Sequence, residues 1–376
     1  MKPSITNGDI QNLFLYGHMD AQVVRNANEI LVSGYEINEV VTINSSGSSH
    51  HKPILFQNCD FNEGFTIMDY TGAMSLKFLN CRFKTDVHAS TKNRPLGFSD
   101  NCQFEGGLFI TSLSQGNFAI ENSTVKKTLS LTGDFSENVT LKGINLDNDK
   151  SNLVGRLHIN SCTFLTASFF ESNFDDILIN GNSSFKYEAD FVHVNTNSFH
   201  CSLSKIGLII RFSGSNILKF RIDNIYDKAR KVSISDGCFI GNIDLPLAQF
   251  DEFEIVESSI DSLRISGTNS KESSFSVEKT PIRSLIFENV INEGRFSFKE
   301  VLVDKNCMIS IKSSVLAKTD FILCDFAQAK FEFENSKLTE CFLAETDFPK
   351  AVLIGGKLNF GQAQLAFGQL STAFQK

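Results

Sequence analysis

A small residue stands two positions before a bulky apolar residue throughout much of this chain, and near the C-terminus the pair recurs every five residues. The step lengthens once, between Phe331 and Leu338. This period fits neither an α-helix nor a single β-strand, so the chain must turn a corner about every fifth residue. The pairs are Thr319/Phe321, Cys324/Phe326, Ala329/Phe331, Ser336/Leu338, Cys341/Leu343, Thr346/Phe348, Ala351/Leu353 and Gly356/Leu358.

Upstream the same pair recurs at a longer interval, and its bulky members lie 22, 21 and 21 residues apart. Short alternating segments precede the pairs, such as Leu76-Lys77-Phe78, which point two apolar side chains inward and one polar side chain outward. A repeat this short cannot bury its apolar face alone, so each must stack on the next as one rung of a coil of parallel strands. These pairs are Cys59/Phe61, Cys81/Phe83, Cys102/Phe104 and Ser123/Val125.

These positions resemble the repeats of the pentapeptide-repeat family, specifically over residues 317–360 and in degenerate form over residues 50–316. The resemblance implies a right-handed, four-sided parallel β-helix whose small and bulky residues both point inward. A three-sided β-helix of the pectate-lyase kind is an alternative for the central part. A leucine-rich repeat is another, because Leu76-x-Phe78-x-x-Cys81-x-Phe83 matches its core pattern, but the second strand in many rungs disfavours it.

The predicted fold is therefore all-β, a right-handed parallel β-helix of about 21 residues per rung with a short C-terminal helix. Residues 1–50 are expected to form an N-terminal cap and the first irregular rungs, residues 51–360 the β-helix, and residues 361–376 a capping helix. The helix is predicted because Ala363, Phe367, Leu370 and Phe374 fall at helical spacing. No Gly or Asn follows that pattern, so we expect the sequence to be part of a longer bacterial protein.

Composition agrees with a stacked interior. The chain has 36 Phe and no Trp, and one aromatic shape suits a repeated internal slot. The first residues lack the apolar run of a signal peptide, which predicts a cytoplasmic protein without a membrane span. The nine cysteines are then expected to be reduced and mostly buried as small apolar residues, not zinc ligands.

An asparagine precedes the bulky residue by three positions in four successive rungs: Asn58, Asn80, Asn101 and Asn122. Asparagine tolerates the left-handed backbone of a corner, and its amide can bond to its copy one rung away. We interpret the four residues as a structural ladder. Later rungs hold Glu257, Lys279 and Glu300 at this position, which predicts a ladder of weak ion pairs.

The sequence lacks the phosphate-binding loop, the nucleophile elbow and the zinc-binding helix motif. No catalytic residue, cofactor or metal is therefore predicted. The paired His50 and His51 are interpreted as part of a flexible loop, and His158 and His193 as solvent-facing strand residues. A polysaccharide-cleaving site would need clustered acids, with or without a basic residue. The candidates are Asp147, Asp149, Asp175, Asp176, Asp190 and His193. Most of them are expected at solvent-exposed turns, where acidic residues are common without any catalytic role.

The net charge of -8, from 43 acidic and 35 basic residues, disfavours nucleic-acid binding. The sequence best fits a non-enzymatic protein-interaction or scaffold rod whose partner it does not identify. Alternatives are a carbohydrate-active β-helix, such as a polysaccharide lyase, hydrolase or phage tailspike domain, and an acidic mimic of DNA that binds topoisomerases. A homodimer through one end of the β-helix is also expected, with Phe367, Leu370 and Phe374 at the interface.

Overall fold

The computed structural model describes residues 2–17, 24–25, 29–44, 52–70, 75–92, 95–114, 117–144, 155–181, 183–202, 209–223, 229–247, 250–267, 269–270, 273–326, 329–344, 352–354 and 359–366. Contacts divide the chain into two compact units, Met1–Ala189 with Val194–Thr196, and Asp190–His193 with Asn197–Lys376. The strands repeat about every 22 residues as a β-solenoid. The predicted all-β, parallel β-helix architecture is confirmed.

The first half of the chain forms one helix, α1 (Asn7–Tyr16), and short strands that lengthen along the sequence. The strands are β1 (Val24–Arg25), β2 (Ile30–Ser33), β3 (Glu36–Ile37), β4 (Val41–Asn44), β5 (Ile54–Gln57), β6 (Asp60–Phe61), β7 (Phe65–Tyr70), β8 (Leu76–Leu79), β9 (Arg82–Phe83), β10 (Val87–Lys92), β11 (Leu96–Ser99), β12 (Gln103–Phe104), β13 (Leu108–Ser114), β14 (Phe118–Glu121), β15 (Thr124–Val125), β16 (Thr128–Lys142), β17 (Arg156–Phe170), β18 (Asn173–Asn180) and β19 (Ser184–Val192).

The second half continues with strands that are mostly longer. They are β20 (Asn195–Ser202), β21 (Ile209–Ser213), β22 (Asn216–Asp223), β23 (Ala229–Ser235), β24 (Phe239–Pro246), β25 (Phe250–Val256), β26 (Ser259–Ser266), β27 (Asn269–Ser270), β28 (Ser274–Glu278), β29 (Pro281–Glu288), β30 (Ile291–Lys299), β31 (Leu302–Lys312), β32 (Val315–Ile322), β33 (Lys330–Glu334), β34 (Lys337–Ala344), β35 (Val352–Ile354) and β36 (Asn359–Ala366).

In the first unit the early rungs contribute three strands each, which pair in parallel with their copies above and below. One sheet runs β2, β5, β8, β11, β14 and β16. A narrow sheet runs β3, β6, β9, β12 and β15. The third runs β4, β7, β10, β13, β16, β17 and β18. The β1–β2 pair is antiparallel.

In the second unit most rungs contribute two strands, which build two parallel ladders. One ladder runs β22, β24, β26, β29, β31, β33 and β35. The other runs β21, β23, β25, β28, β30, β32, β34 and β36.

Stacked phenylalanines fill the interior. On β8, Leu76 and Phe78 are buried while Lys77 is exposed, as the alternating pattern predicts. The Phe78 ring lies 5.2 Å from that of Phe56 and 5.0 Å from that of Phe98, in near-parallel stacks. Burying each such side chain stabilises the fold by about 2 kcal/mol or more, so neighbouring rungs depend on one another.

The small inward position also satisfies backbone groups at the corners. Ser314 Oγ donates to the carbonyl of Lys312 at 2.7 Å and accepts the Val290 N–H of the preceding rung at 3.0 Å. Ser172 does the same with Phe170 and Ile144. A hydroxyl therefore suits this position for its hydrogen bonds as well as its size, because an unpaired buried N–H would be costly.

Helix α1 lies at the N-terminus, where the sequence analysis predicted no helix. Thr6 and Asp9 form a capping box, and Gly17 ends the helix in the left-handed conformation at φ +70°. The helix buries Ile10, Leu13 and Phe14. Its amphipathic face and both caps explain why it forms.

The predicted C-terminal helix over 361–376 is wrong where the structure describes that segment. Residues Asn359–Ala366 form β36, parallel to β34. Ala363 pairs with Cys341 and Leu365 with Leu343, so the small and bulky positions continue for another rung. This stacking outweighs the helix preference of Ala, Gln and Leu. Residues 367–376 lie outside the described residues.

Candidate functional site

Asparagines occupy the corners of the first unit. Asn58, Asn80, Asn101 and Asn122 all have positive φ, between +46° and +72°. Asn80 Nδ2 donates to Asn58 Oδ1 of the preceding rung at 2.7 Å. The Asn80 amide thus bridges two rungs, at a corner whose left-handed backbone favours asparagine or glycine.

The eight cysteines whose side chains the structure describes are all free and buried. Burial raises the pKa of Cys162 to about 12 and that of Cys324 to about 11. Such thiols stay protonated and are poor nucleophiles near neutral pH. Because all eight described thiols are buried, the described groups that a partner can reach lie on the outward faces.

On the second unit, acids and bases of neighbouring rungs pair across the sheets. Arg221 Nη1 lies 2.9 Å from Asp244 Oδ2, and Lys299 Nζ lies 2.7 Å from Glu278 Oε1. Lys279 Nζ lies 3.0 Å from Glu257 Oε1, at the corner position where the sequence predicted an ion-pair ladder. Each exposed pair contributes little stability, but together they leave an ordered pattern of balanced charge.

Asp223 has one of the two most buried carboxylates among the described ion pairs of the second unit, the other being Asp320. Asp223 accepts hydrogen bonds from Arg221 Nε at 2.8 Å and lies 3.1 Å from His200 Nε2. Burial alone would raise the pKa of the Asp223 carboxyl, but the hydrogen bonds with Arg221 and His200 hold it below its usual value. These three residues belong to the ion-pair network, and the Asp223 carboxylate is already bound by Arg221 and His200.

Lys231 shows the same balance on the other ladder. Its Nζ lies 2.7 Å from Glu254 Oε2 and 3.1 Å from Glu252 Oε1. Partial burial would lower the pKa of Lys231, but hydrogen bonds to both carboxylates raise it. The one described side chain of the short basic run at residues 228–231 is thus neutralised by neighbouring acids.

An exposed apolar strip marks one corner of the second unit. Leu302 is 58% exposed and pairs in register with exposed Pro281 of the preceding rung. Leu323, which is 43% exposed, occupies the corner position held by Glu300 one rung earlier, while the residue in register with Leu302 on that rung is exposed Asp325. We call Pro281, Leu302 and Leu323 the Leu302 strip. The pairs Lys279–Glu257 and Lys299–Glu278 flank it on the preceding rungs.

Sequence reasoning missed this strip, although one signal was present. Leu323 stands three positions before Phe326, where earlier rungs carry Asn, Glu or Lys. Such an apolar corner is not unique to this rung, because Leu247, three positions before Phe250, also has a positive φ of +53° and is 55% exposed. Leu302 could not be recognised, because its position depends on where the preceding corner falls.

A different outward face, on the third sheet of the first unit, carries two rows without Asp, Glu, Lys or Arg. We call it the neutral face. One row, in register from β7 to β18, is Thr66, His88, Phe109, Ser130, His158 and Leu178. The adjacent row, from β10 to β18, is Ser90, Thr111, Thr132, Asn160 and Asn180. This face also escaped sequence analysis, since its composition emerges only from the register.

The acids considered for a polysaccharide-cleaving site have structural partners. Asp175 Oδ2 accepts the Gly155 N–H at 3.2 Å, and Asp176 lies 3.6 Å from Arg156 in the first unit. In the second unit Asp190 lies 3.6 Å from Arg211. Asp147 and Asp149 lie outside the described residues.

Two histidines differ in their placement. His158 lies on β17 with its Nε2 3.2 Å from Asn180 Oδ1. His193, predicted on a strand, instead forms an exposed corner at φ +53°. The alternating strand pattern that placed His193 on a strand ends one residue earlier, because the chain bends directly after Val192. His50 and His51 lie outside the described residues.

Among the described side chains, no group of three or more His, Cys, Asp or Glu converges as metal ligands would. The described segments include no helix with the length and apolar character needed to cross a bilayer. The interface residues expected at the C-terminus, Phe367, Leu370 and Phe374, lie beyond the described part.

Searches against family models, curated proteins and solved structures find no match to this chain.

Proposed function

We propose that this chain is a non-enzymatic protein-interaction scaffold that binds a polypeptide partner through the Leu302 strip. The observation that carries the proposal is that exposed Pro281 and Leu302 lie in register on consecutive rungs, with exposed Leu323 at the corner that precedes Asp325 on the next rung and with paired charges nearby. Protein interfaces commonly combine an apolar centre with a polar rim. The strip supplies such a centre, and the flanking ion pairs supply the rim.

The solenoid supports this use because it fixes the spacing of outward side chains. Strands in a sheet lie about 4.8 Å apart, so side chains at one position on consecutive rungs form a regular, rigid row. A partner meeting such a row needs little reorganisation of the scaffold, and binding therefore costs less conformational entropy.

The two alternatives gain less support. Of the acids considered for glycan cleavage, the three that the structure describes, Asp176, Asp190 and Asp175, contact Arg156, Arg211 and the Gly155 amide. Mimicry of DNA needs rows of unbalanced acids, whereas several acids of the second unit pair with bases one rung away, such as Asp244 with Arg221 and Glu278 with Lys299. Cytoplasmic location and dimerisation through a β-helix end stay predictions.

The proposal is tested by placing a photo-cross-linking amino acid at position 302 of the full chain in its native cells. We expect one discrete adduct with a polypeptide, identified by mass spectrometry, that disappears when Leu323→Lys is added. The matched control carries the cross-linker at Leu218, which is also exposed in the second unit. Equal adducts at both positions, or none at position 302, would refute binding through the strip. Turnover of pectin, alginate or bacterial surface glycans by the purified chain would refute the non-enzymatic assignment.

A further inference from the structure

We infer that the neutral face of the first unit binds an extended, uncharged polysaccharide along its two rows. The face shares no residue with the Leu302 strip, so this inference goes beyond the proposed protein-binding function. It rests on the charge, hydrogen-bonding groups and aromatic pair of the face.

The charge of the face selects against ionic ligands. The first row, from β7 to β18, and the second row, from β10 to β18, contain no carboxylate, ammonium or guanidinium group. The described charged residues of this face lie only at the edges of the two rows. Arg156 and Asp176 lie 3.6 Å apart, Asp86 accepts the Gly107 N–H, and exposed Lys92 and Asp134 have opposite charges beyond the second row. Nucleic acids and acidic glycans need bases to neutralise them, so an uncharged polymer is the better match.

The side chains of the second row match sugar hydroxyls. Ser90, Thr111 and Thr132 can each donate and accept through one hydroxyl. Asn160 and Asn180 can donate through their amide nitrogens, while their oxygens already lie near Ser161 Oγ and His158 Nε2. All five are partly exposed. A protein interface would instead favour large aromatic residues and Arg, and it would be depleted in Ser.

An aromatic pair lies in the middle of the first row. The rings of His88 and Phe109 stack with centroids 4.8 Å apart and planes 8° apart. His88 is exposed and Phe109 is half-buried. The Phe109 ring leans over Gly107, where an added Cβ would lie 2.6 Å from Cε2. This pair gives the face an apolar element that can pack against the C–H groups of a sugar ring.

The dimensions favour a chain of sugars over a single one. Six rungs spaced about 4.8 Å apart give rows of roughly 25 Å. Individual contacts along an open row are weak, so binding requires several of them at once. Affinity should therefore rise with the length of the glycan.

The test is affinity electrophoresis of the full chain through gels that contain one polysaccharide each. The neutral probes are laminarin, hydroxyethyl cellulose, xyloglucan, galactomannan and dextran. Carboxymethyl cellulose and dextran sulfate are the charged counterparts. We expect retardation by at least one neutral probe, equal at low and high salt, and weaker binding of its short oligosaccharides by calorimetry.

Variants locate the binding. Phe109→Ala should weaken it by about tenfold or more, because the stacked ring is lost. Thr111→Lys, which leaves the ring pair intact, should also weaken binding by introducing an unpaired charge. Tyr187→Ala is the matched control, since Tyr187 is an exposed aromatic residue of the first unit outside both rows. Circular dichroism establishes that each variant is folded.

Three results would overturn the inference. These are retardation by no neutral probe, retardation by the charged probes alone, and equal effects of Phe109→Ala and Tyr187→Ala. Because the Leu302 strip is untouched by these variants, a negative result here leaves the cross-linking test of the protein-binding proposal unaffected.

Discussion

The phenyl ring of Phe83 stacks on that of Phe104 with centroids 4.8 Å apart and planes only 3° apart. The other side of Phe83 meets Phe61 at the same centroid distance. The Phe83 ring thus packs against both neighbouring rungs, and its removal should destabilise all three rungs.

We expect Phe83→Ala to lower the free energy of unfolding by about 3 to 5 kcal/mol, since it leaves a cavity between two stacked rings. Denaturant titration followed by circular dichroism measures the change. Tyr187→Ala, at an exposed aromatic residue of the same unit, should alter stability by less than about 0.5 kcal/mol. Similar midpoints for the two variants would contradict the inward stacking of Phe83.

A second prediction separates the two roles of a corner asparagine. Asn80 has φ +50° and donates to Asn58. Asn80→Gly keeps the backbone preference and loses only the amide bond, which should cost about 0.5 to 1 kcal/mol. Asn80→Ala also forces a residue with a Cβ into the left-handed region, and should cost about 1 to 2 kcal/mol more. Thermal unfolding of the two variants would show equal loss if the left-handed corner were unimportant.

Two glycines of the first unit provide a matched comparison. A Cβ at Gly133, where φ is +105°, would lie 2.0 Å from the Ser112 carbonyl oxygen of the neighbouring rung. At Gly34, where φ is +78°, a Cβ would meet nothing within 4 Å. Gly133→Ala should therefore cost about 3 kcal/mol or more, and Gly34→Ala only the backbone term of about 1 to 2 kcal/mol. Equal costs in denaturant titrations would show that the two rungs are less closely packed than described.

The buried thiol of Cys162 predicts a loss of stability in alkali. Its pKa is raised to about 12 in the folded chain, whereas an unfolded cysteine ionises near its ordinary value of 9.0. Between these values the unfolded state releases a proton and gains stability, while the folded state does not. The contribution of this thiol to folding is complete below the unfolded pKa and is lost as pH rises towards the folded pKa.

Cys162→Ala removes this effect. The natural chain should be the more stable one at about pH 8, and its advantage should shrink by about 1 kcal/mol per pH unit above about pH 9. Denaturant midpoints at several pH values, taken with reductant present, measure the difference. A gap that stays constant up to about pH 11 would mean that the thiol ionises normally in the folded chain.

The sequence predicted the interior well because stacking imposes its own period. Phe78 and Phe83 are buried where the alternating pattern places them, and Cys59, Cys81 and Cys102 fill the small positions. Every rung repeats the same packing problem, so local residues reveal the core. Corner residues such as Asn80 were recognisable for the same reason.

Most of the features that the sequence did not predict depend on contacts between rungs, which a local sequence pattern does not contain. Ala363 and Leu365 have good helix propensity, but the preceding rung offers a partner strand for them. Helix α1 is the exception, because its capping residues Thr6, Asp9 and Gly17 form a local signal that could have been recognised. The neutral face requires the register across rungs of unequal length, as between Ser130 and His158.

The inward hydroxyls at the corners have a consequence for how such a gene can change. Ser314 Oγ accepts the Val290 N–H of the preceding rung, and Ser336 Oγ accepts the Ser314 N–H in turn. Each of these rungs thus forms the same hydrogen bond with the next rung that it forms with the preceding one. Duplication or deletion of one whole repeat within the reading frame would restore that hydrogen bond and leave no backbone amide unpaired. An insertion of a few codons inside a strand would break it. Lineages carrying this gene should therefore vary in length by whole repeats, with smaller insertions confined to the loops between strands.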